Sequence, residues 1–184
     1  MLTLFHDYTS PASAVAVLRA RRLHAEGLPI ELQGHDAIGV DLALPVTVDV
    51  LAVIDALREE GLREGIALRR PATLPPTIAA HLLVDLLPAA LRGPVATGLY
   101  HAYWEDGADL ADRATLLAVA SAAGAEVDDV TVALGDRARH ATLRRRMAGV
   151  RRQGVGGVPV ILASRTLVPG LLDDDTLHTL AAQV

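Results

Sequence analysis

The 184-residue sequence contains no cysteine, no lysine and no asparagine, and its aromatic residues are one Trp, one Phe and three Tyr. Without a thiol the chain cannot form a disulfide, supply a thiolate nucleophile or bind a Cys-type zinc ion. The absence of lysine excludes a Schiff-base lysine and the lysine of a P-loop. Thiol–disulfide exchange by this chain itself is excluded, because that reaction requires a thiolate.

The charge and hydropathy patterns exclude further classes of partner. A net charge of −5 argues against nucleic acid, since phosphate-binding domains usually carry a basic excess. No apolar run approaches the ~20 residues that cross a bilayer, and the N-terminus lacks the basic and apolar regions of a signal peptide. We therefore expect a cytoplasmic protein without membrane or nucleic-acid partners, and the Ala- and Leu-rich composition could support a homodimer.

The start of the chain predicts a β-α-β unit. The apolar run Leu2–His6 predicts a strand, and Ser10 followed by Pro11 predicts the start of a helix. That helix should end at Gly27, and the alternating segment Pro29–Gln33 predicts a second strand. Two parallel strands need such a crossover helix between them.

The middle of the chain is helical in pattern. Apolar residues at three- and four-residue spacing predict five helices, at about residues 50–61, 78–87, 95–103, 116–124 and 136–152. The Pro-rich segment 71–76 and the pair Gly93–Pro94 are interpreted as connections.

The end of the chain returns to strands. Val158–Leu162 and Thr166–Val168 are separated by three residues and predict an antiparallel hairpin. Asp173–Gln183 predicts a last helix with acidic residues in its first turn. The order β-α-β, helical block, β-β-α predicts an α/β fold with a mixed sheet.

Three blocks of the sequence resemble the DsbA family of thioredoxin-like proteins, in particular FrnE-like oxidoreductases, 2-hydroxychromene-2-carboxylate isomerases and kappa-class glutathione transferases. Asp7–Ser13 is similar to the D-x-x-C-P-W-C motif of the redox members and to the S-P-Y-S motif of the others. Gly154–Pro159 is similar to the G-V-x-G-V-P block that holds the family's cis-proline. The insertion helices of the family resemble Pro76–Thr77, Ala80–His81 and Leu99–Gly124. The resemblance implies a thioredoxin-like domain formed by residues 1–38 and 155–184, with a helical insertion at 39–154.

The resemblance also implies roles for individual residues. The position of Ser10 holds the reactive Cys of the oxidoreductases and, in the transferases and isomerases, a Ser that binds the glutathione thiolate, so Ser10 is the candidate catalytic residue. Val158, beside the cis-proline position Pro159, is implied to offer its backbone to substrate. Ser13 is a further candidate for substrate or thiol binding, and the alternative is a local hydrogen bond to the backbone.

Three departures from the family pattern argue against glutathione itself. Ala12 replaces the usual aromatic residue, and Pro76 replaces an Asn that often contacts ligand in relatives. The Leu171–Leu172 stretch lacks the Asp-Arg pair that helps to hold glutathione in the kappa class.

Two interpretations of Ser10 remain open from the sequence. Its hydroxyl could donate a hydrogen bond to the thiolate of a ligand at a helix N-terminus, where the helix dipole also favours an anion. Alternatively, Ser10 is only an N-cap, an arrangement that contributes ~1 kcal/mol. A hydrolase nucleophile is disfavoured because the G-x-S-x-G elbow is missing.

The histidines and the charged or aromatic clusters give weaker signals. His6, at the end of the first strand, and His81, on a predicted helix, are candidate ligand-binding residues, with ordinary core histidines as the alternative. No H-E-x-x-H spacing occurs, so no metal site is predicted. The arginines of 137–152 are interpreted as a solvated surface, and Tyr100, Tyr103 and Trp104 either line a pocket or belong to the core.

Together these patterns predict a small-molecule enzyme of the isomerase or transferase type that depends on a thiol cofactor, with Ser10 at its active-site position. The cofactor would be glutathione or another low-molecular-weight thiol. The alternative is a catalytically degenerate thioredoxin-fold protein that binds a small molecule or a peptide.

Overall fold

A computed structural model describes all residues from 1 to 184 and confirms the β-α-β start. Strand β1 (Leu2–His6) leads into helix α1 (Pro11–Ala25), which returns the chain to strand β2 (Ile30–Gly34). The two strands are parallel, with Leu2 opposite Ile30 and His6 opposite Gly34. Ser10 caps α1 and Pro11 occupies its first position, as the sequence predicts.

The middle of the chain forms six helices rather than five. Their bounds are α2 (Val48–Arg63), α3 (Ile78–Leu86), α4 (Ala89–Trp104), α5 (Arg113–Ala122), α6 (Asp128–Leu134) and α7 (Arg137–Arg152). The sequence analysis did not predict α6. It is only seven residues long, and its N-cap residue Val127 makes no side-chain capping bond, so its apolar pattern is short and no capping residue marks its start.

The interpretation of Gly93–Pro94 as a connection is wrong, because α4 continues through both residues. Proline removes one backbone donor and usually kinks or ends a helix. Here the residues that follow, Val95, Leu99 and Tyr103, are buried in the core. Burial of that apolar face offsets the loss of one hydrogen bond.

The end of the chain forms the predicted hairpin and a last helix. Strands β3 (Val160–Ala163) and β4 (Thr166–Pro169) are antiparallel, and helix α8 spans Asp174–Ala181. The sheet has the order β2-β1-β3-β4, so β1 lies between a parallel and an antiparallel neighbour. This is a thioredoxin-like α/β fold with a mixed sheet, as predicted.

Most buried apolar side chains belong to one core that is shared by the sheet, α1 and the middle helices. Tyr100, Tyr103 and Trp104 of α4 are at most 3% exposed and belong to that core. The division into a thioredoxin-like domain and an insertion at 39–154 remains a prediction. None of the eight helices is long and apolar enough to cross a membrane.

Candidate functional site

Ser10 lies where the chain passes from β1 into α1. Its backbone is extended, and its Oγ accepts a hydrogen bond of 3.1 Å from the backbone N–H of Ser13. Ser10 is half-buried. A serine hydroxyl has two acceptor lone pairs and one proton. The capping bond uses a lone pair, so the hydroxyl proton stays available to a ligand.

Ser10 lines a cleft of about 400 Å³. The cleft wall contains the start of α1, the loop after β2, the first turns of α2, and single residues from two further loops. Seven of the twelve lining residues are hydrophobic, so the cleft suits an apolar ligand; the lining residues are Asp7, Thr9, Ser10, Pro11, Ala12, Ala37, Ile38, Asp49, Val50, Val53, Leu74 and Val158.

The loop before β3 brings Val158 to this cleft. The Val158–Pro159 peptide bond is cis, and the Pro159 carbonyl accepts a hydrogen bond of 2.9 Å from the Gly170 N–H. Val158 therefore lies in the same cleft as Ser10, although 148 positions separate the two residues in the sequence. Pro159 is buried behind it and does not line the cleft.

Asp7 is the hub of the hydrogen bonds behind Ser10. One carboxylate oxygen lies 3.3 Å from Nε2 of His81, and the other accepts a bond of 2.8 Å from the Ala37 N–H. The Asp7 carbonyl accepts hydrogen bonds from the Ser10 N–H and from the Tyr100 hydroxyl. These contacts connect the loop after β2, α3 and α4 to the Ser10 segment.

A second bond from α4 fixes the next residue of this segment. The indole N–H of Trp104 donates to the Tyr8 carbonyl at 3.0 Å, and Tyr100 donates to the Asp7 carbonyl at the same distance. All three aromatic side chains are at most 1% exposed. Two adjacent carbonyls just after β1 thus each receive one donor from the same helix of the middle block.

Burial and hydrogen bonding set the charge states of the buried polar groups. Burial alone would raise the pKa of Asp7, but the hydrogen bond and charge of His81 and the Ala37 N–H outweigh it, so this pKa is lowered and Asp7 is ionised. Burial, with a smaller contribution from His81, lowers the pKa of His6 to about 3. His6 is therefore a neutral imidazole near pH 7.

The predicted site residues do not all meet in the cleft. Ser10 and Val158 line it. Ser13 is fully buried, and its Oγ accepts a 3.4 Å bond from the Asp7 N–H, which matches the local alternative. His6 and His81 lie on the other side of Asp7 and line a separate cavity.

Sequence reasoning missed the contribution of α2 and of Leu74 to the cleft wall. Nothing in the sequence connects Val50 and Val53 to Ser10, since their apolar spacing is that of any amphipathic helix. Asp7 could have been singled out, because it opens the motif that carries the resemblance. Ala12, which the sequence comparison with the family singled out as a departure, lines the cleft with a small side chain.

Solved structures of known proteins share this fold. A probable DsbA oxidoreductase from Streptomyces coelicolor has a TM-score of 0.84 at 19% identity, with 99% of this chain and 88% of that chain covered. A 2-hydroxychromene-2-carboxylate isomerase has a TM-score of 0.79 at 20% identity, with 98% and 92% covered. A cytosolic disulfide reductase, DsbM from Pseudomonas aeruginosa, solved with GSH, has a TM-score of 0.56 at 22% identity, with 98% and 95% covered.

No curated protein matches the chain in a sequence comparison. At these identities the structural likenesses establish the fold alone. The sequence profile of the DSBA-like thioredoxin domain matches residues 1–183, almost the whole chain. This protein therefore belongs to the DSBA-like thioredoxin domain family, and its chain contains no cysteine.

Proposed function

We propose that this protein binds a low-molecular-weight thiol at Ser10 and acts as an isomerase or transferase on a small apolar substrate in the adjacent cleft. The observation that carries the proposal is the state of the Ser10 hydroxyl. Its oxygen caps α1 through the Ser13 N–H, while its proton is free at the wall of a cleft of about 400 Å³. Capping the helix and holding a ligand are therefore compatible roles for one side chain.

The start of α1 offers a second donor for a thiolate. Pro11 has no N–H, the Ser13 N–H donates to Ser10 Oγ, and the Ala14 N–H donates to the Ser10 carbonyl. The N–H of Ala12 is left without a partner in the protein. Together with the Ser10 hydroxyl and the helix dipole, it suits a negatively charged sulfur.

The donors for a thiolate are the Ser10 hydroxyl and the Ala12 N–H, and the other residues that line the cleft offer little to the rest of glutathione. They include the carboxylates of Asp7 and Asp49 and no arginine or histidine. Glutathione carries two carboxylates, which would find no cation in this cleft. An uncharged thiol avoids that repulsion, so we expect it to bind more tightly than glutathione.

A thiol bound at this position would supply the sulfur nucleophile that a cysteine-free chain lacks. Ser10 and the Ala12 N–H would hold the sulfur, and the hydroxyl would favour the ionised form by donating a hydrogen bond to it. Ile38, Val53 and Val158 would exclude water from an apolar substrate beside it.

The experiment is calorimetric titration with N-acetylcysteamine, an uncharged thiol, and with glutathione. The decisive variant is Ser10→Asp, because Asp caps a helix as well as Ser does. Its carboxylate has no proton to donate and repels a thiolate. We expect wild-type stability and lost thiol binding in Ser10→Asp, and weakened binding in Ser10→Ala.

Two results would overturn this proposal. One is the absence of binding heat and of a thermal shift with both thiols in the wild-type protein. The other is unchanged thiol affinity in Ser10→Asp, which would mean that Ser10 is only a cap.

The apolar character of the cleft supports a second candidate function, the binding of a small apolar molecule or peptide without catalysis. Seven of twelve lining residues are hydrophobic, and the Val53 side chain is 41% exposed at the wall. In that case Val53→Asp should abolish ligand binding, while Ser10→Asp leaves it unchanged.

A further inference from the structure

A second cavity, of about 240 Å³, lies on the opposite side of Asp7 from the Ser10 cleft. It is enclosed by the end of β1, the edge strand β2, helices α3 and α4, and one side chain of α7. The cavity and the cleft share no lining residue. Nothing in the proposed function uses this cavity.

The floor of this cavity is formed by His6, Tyr8 and His81, each at most 3% exposed. Their rings are packed together, with ring centroids 4.8 Å apart for Tyr8 and His81 and 5.8 Å apart for His6 and His81. The Tyr8 hydroxyl and Nδ1 of His81 have no hydrogen-bond partner. Buried polar groups are almost always paired, so two unpartnered atoms in one cavity point to a ligand.

The polar groups on the floor of the cavity can be assigned as hydrogen-bond donors or acceptors. The Tyr100 hydroxyl gives its proton to the Asp7 carbonyl, so Nδ1 of His6 must donate to Tyr100, and Nε2 of neutral His6 keeps its lone pair. Tyr8 retains its proton, because burial raises its pKa. The floor thus presents the Tyr8 phenol donor and the Nε2 acceptor of His6 beside the unpartnered Nδ1 of His81, a set that suits the hydroxyl groups of a ligand.

The rim of the cavity carries two guanidinium groups. Arg92 donates to the backbone carbonyls of Leu87 and Asp85, and Arg146 pairs with the Asp85 carboxylate. Arg92 has no carboxylate partner, and both guanidiniums keep unused N–H groups. Glu31, also on the rim, is exposed and forms no ion pair.

From this arrangement we infer a binding site for a small hydroxy-carboxylate. Its hydroxyl groups contact Tyr8, His6 and His81 on the floor, and its carboxylate meets Arg92 and Arg146 at the rim. Arginine binds carboxylates through paired N–H groups, and the Arg92 guanidinium has no carboxylate partner in the protein, since it donates to two backbone carbonyls. The volume limits the ligand to about the size of a six-carbon sugar acid.

The test compares gluconate with sorbitol, which share a six-carbon hydroxylated chain and differ in the carboxylate. Binding to the full-length protein is followed by calorimetry and by the ring resonances of His6 and His81. We expect saturable gluconate binding and at least tenfold weaker sorbitol binding. Tyr8→Phe removes one hydroxyl and should weaken gluconate binding about three- to tenfold. Arg92→Gln should lower the affinity for gluconate to that for sorbitol, and Ser10→Ala should leave it unchanged.

Several outcomes would overturn the inference. If the wild-type protein shows no saturable gluconate binding, the site does not exist. If gluconate and sorbitol bind with equal affinity, the arginines do not bind the carboxylate. Gluconate binding that persists in both Tyr8→Phe and Arg92→Gln, or that Ser10→Ala removes, lies outside this cavity. Folding of each variant is checked by its thermal transition, so that lost binding is assigned to the removed group.

Discussion

Gly34, the last residue of β2, leaves the space that the His81 ring occupies. A Cβ built on Gly34 would overlap Nδ1 of His81 and come within 3.0 Å of two other ring atoms. Its φ is not positive, so the backbone itself accepts alanine. Gly34→Ala therefore tests the packing of His81 against β2 without adding backbone strain.

The magnitudes of two opposing effects decide whether Gly34→Ala raises or lowers the free energy of unfolding. Replacing Gly by Ala within a strand should stabilise by about 0.5–1 kcal/mol, because Gly loses more entropy on folding. Overpacking in a close-packed interior costs about 1–3 kcal/mol, and movement of the ring would also disturb its contact with Asp7. We expect Gly34→Ala to lower the free energy of unfolding by roughly 1–2 kcal/mol.

A double-mutant cycle read by urea denaturation isolates the cause. In a His81→Ala background the new methyl group has room, so the same substitution should stabilise by about 0.5–1 kcal/mol. Gly156→Ala is the control, since a Cβ there meets no atom within 4 Å. Equal effects of Gly34→Ala in the two backgrounds would refute the proposed overlap with His81.

Three further predictions concern the ion pairs, the buried histidine and the start of α1. Arg19→Met should lower the free energy of unfolding by about 1–3 kcal/mol in urea, because it breaks a 2.8 Å contact to Glu64, whose side chain is 7% exposed and keeps Arg22 as a partner. Arg58→Met, at an exposed pair, should cost at most about 1 kcal/mol. The pKa of His6 is lowered from 6.5 to about 3, so His6 takes up a proton in the unfolded state at a higher pH than in the folded state. The free energy of unfolding should therefore fall from pH 6.5 towards pH 3 by up to about 1.4 kcal/mol per pH unit. This loss should be smaller in His6→Gln, and identical pH profiles of the two proteins would contradict the prediction. Ser10→Cys should react with iodoacetamide with a pKa below 8.5, as thiols at helix N-termini do, whereas Ser13→Cys at a fully buried position should react far more slowly, and equal rates would show that Ser10 is not accessible as described.

The sequence predicts best those features whose signal is local. Ser10 followed by Pro11 marks the start of α1, and the short spacing between β3 and β4 marks the hairpin, because capping and turn geometry depend on adjacent residues. Pro94 shows the limit of such signals. Its neighbours are buried by contacts with distant segments, and burial outweighs the local preference of proline.

The site shows the same limit. The resemblance predicted that Ser10 and Val158 belong to one site. Which of the two cavities His6 and His81 line, however, depends on how α3 and α4 pack against β1. Ser13 has the hydroxyl that binding requires, yet its place in the first turn of α1 directs it to the Asp7 N–H. The wall provided by α2 carries no sequence signal, since Val50 and Val53 resemble any apolar helix face.

The two bonds from Tyr100 and Trp104 to the Asp7 and Tyr8 carbonyls make the conformation of the Ser10 turn depend on α4. Cutting out residues 39–154 to obtain a minimal domain would therefore leave the buried Tyr8 carbonyl without a donor and the Asp7 carbonyl with only the Ser10 N–H. Exchanging this segment for that of another family member would succeed only if the incoming helix placed equivalent donors there. The Ser10 turn and this helix should accordingly accept sequence changes as one unit rather than separately.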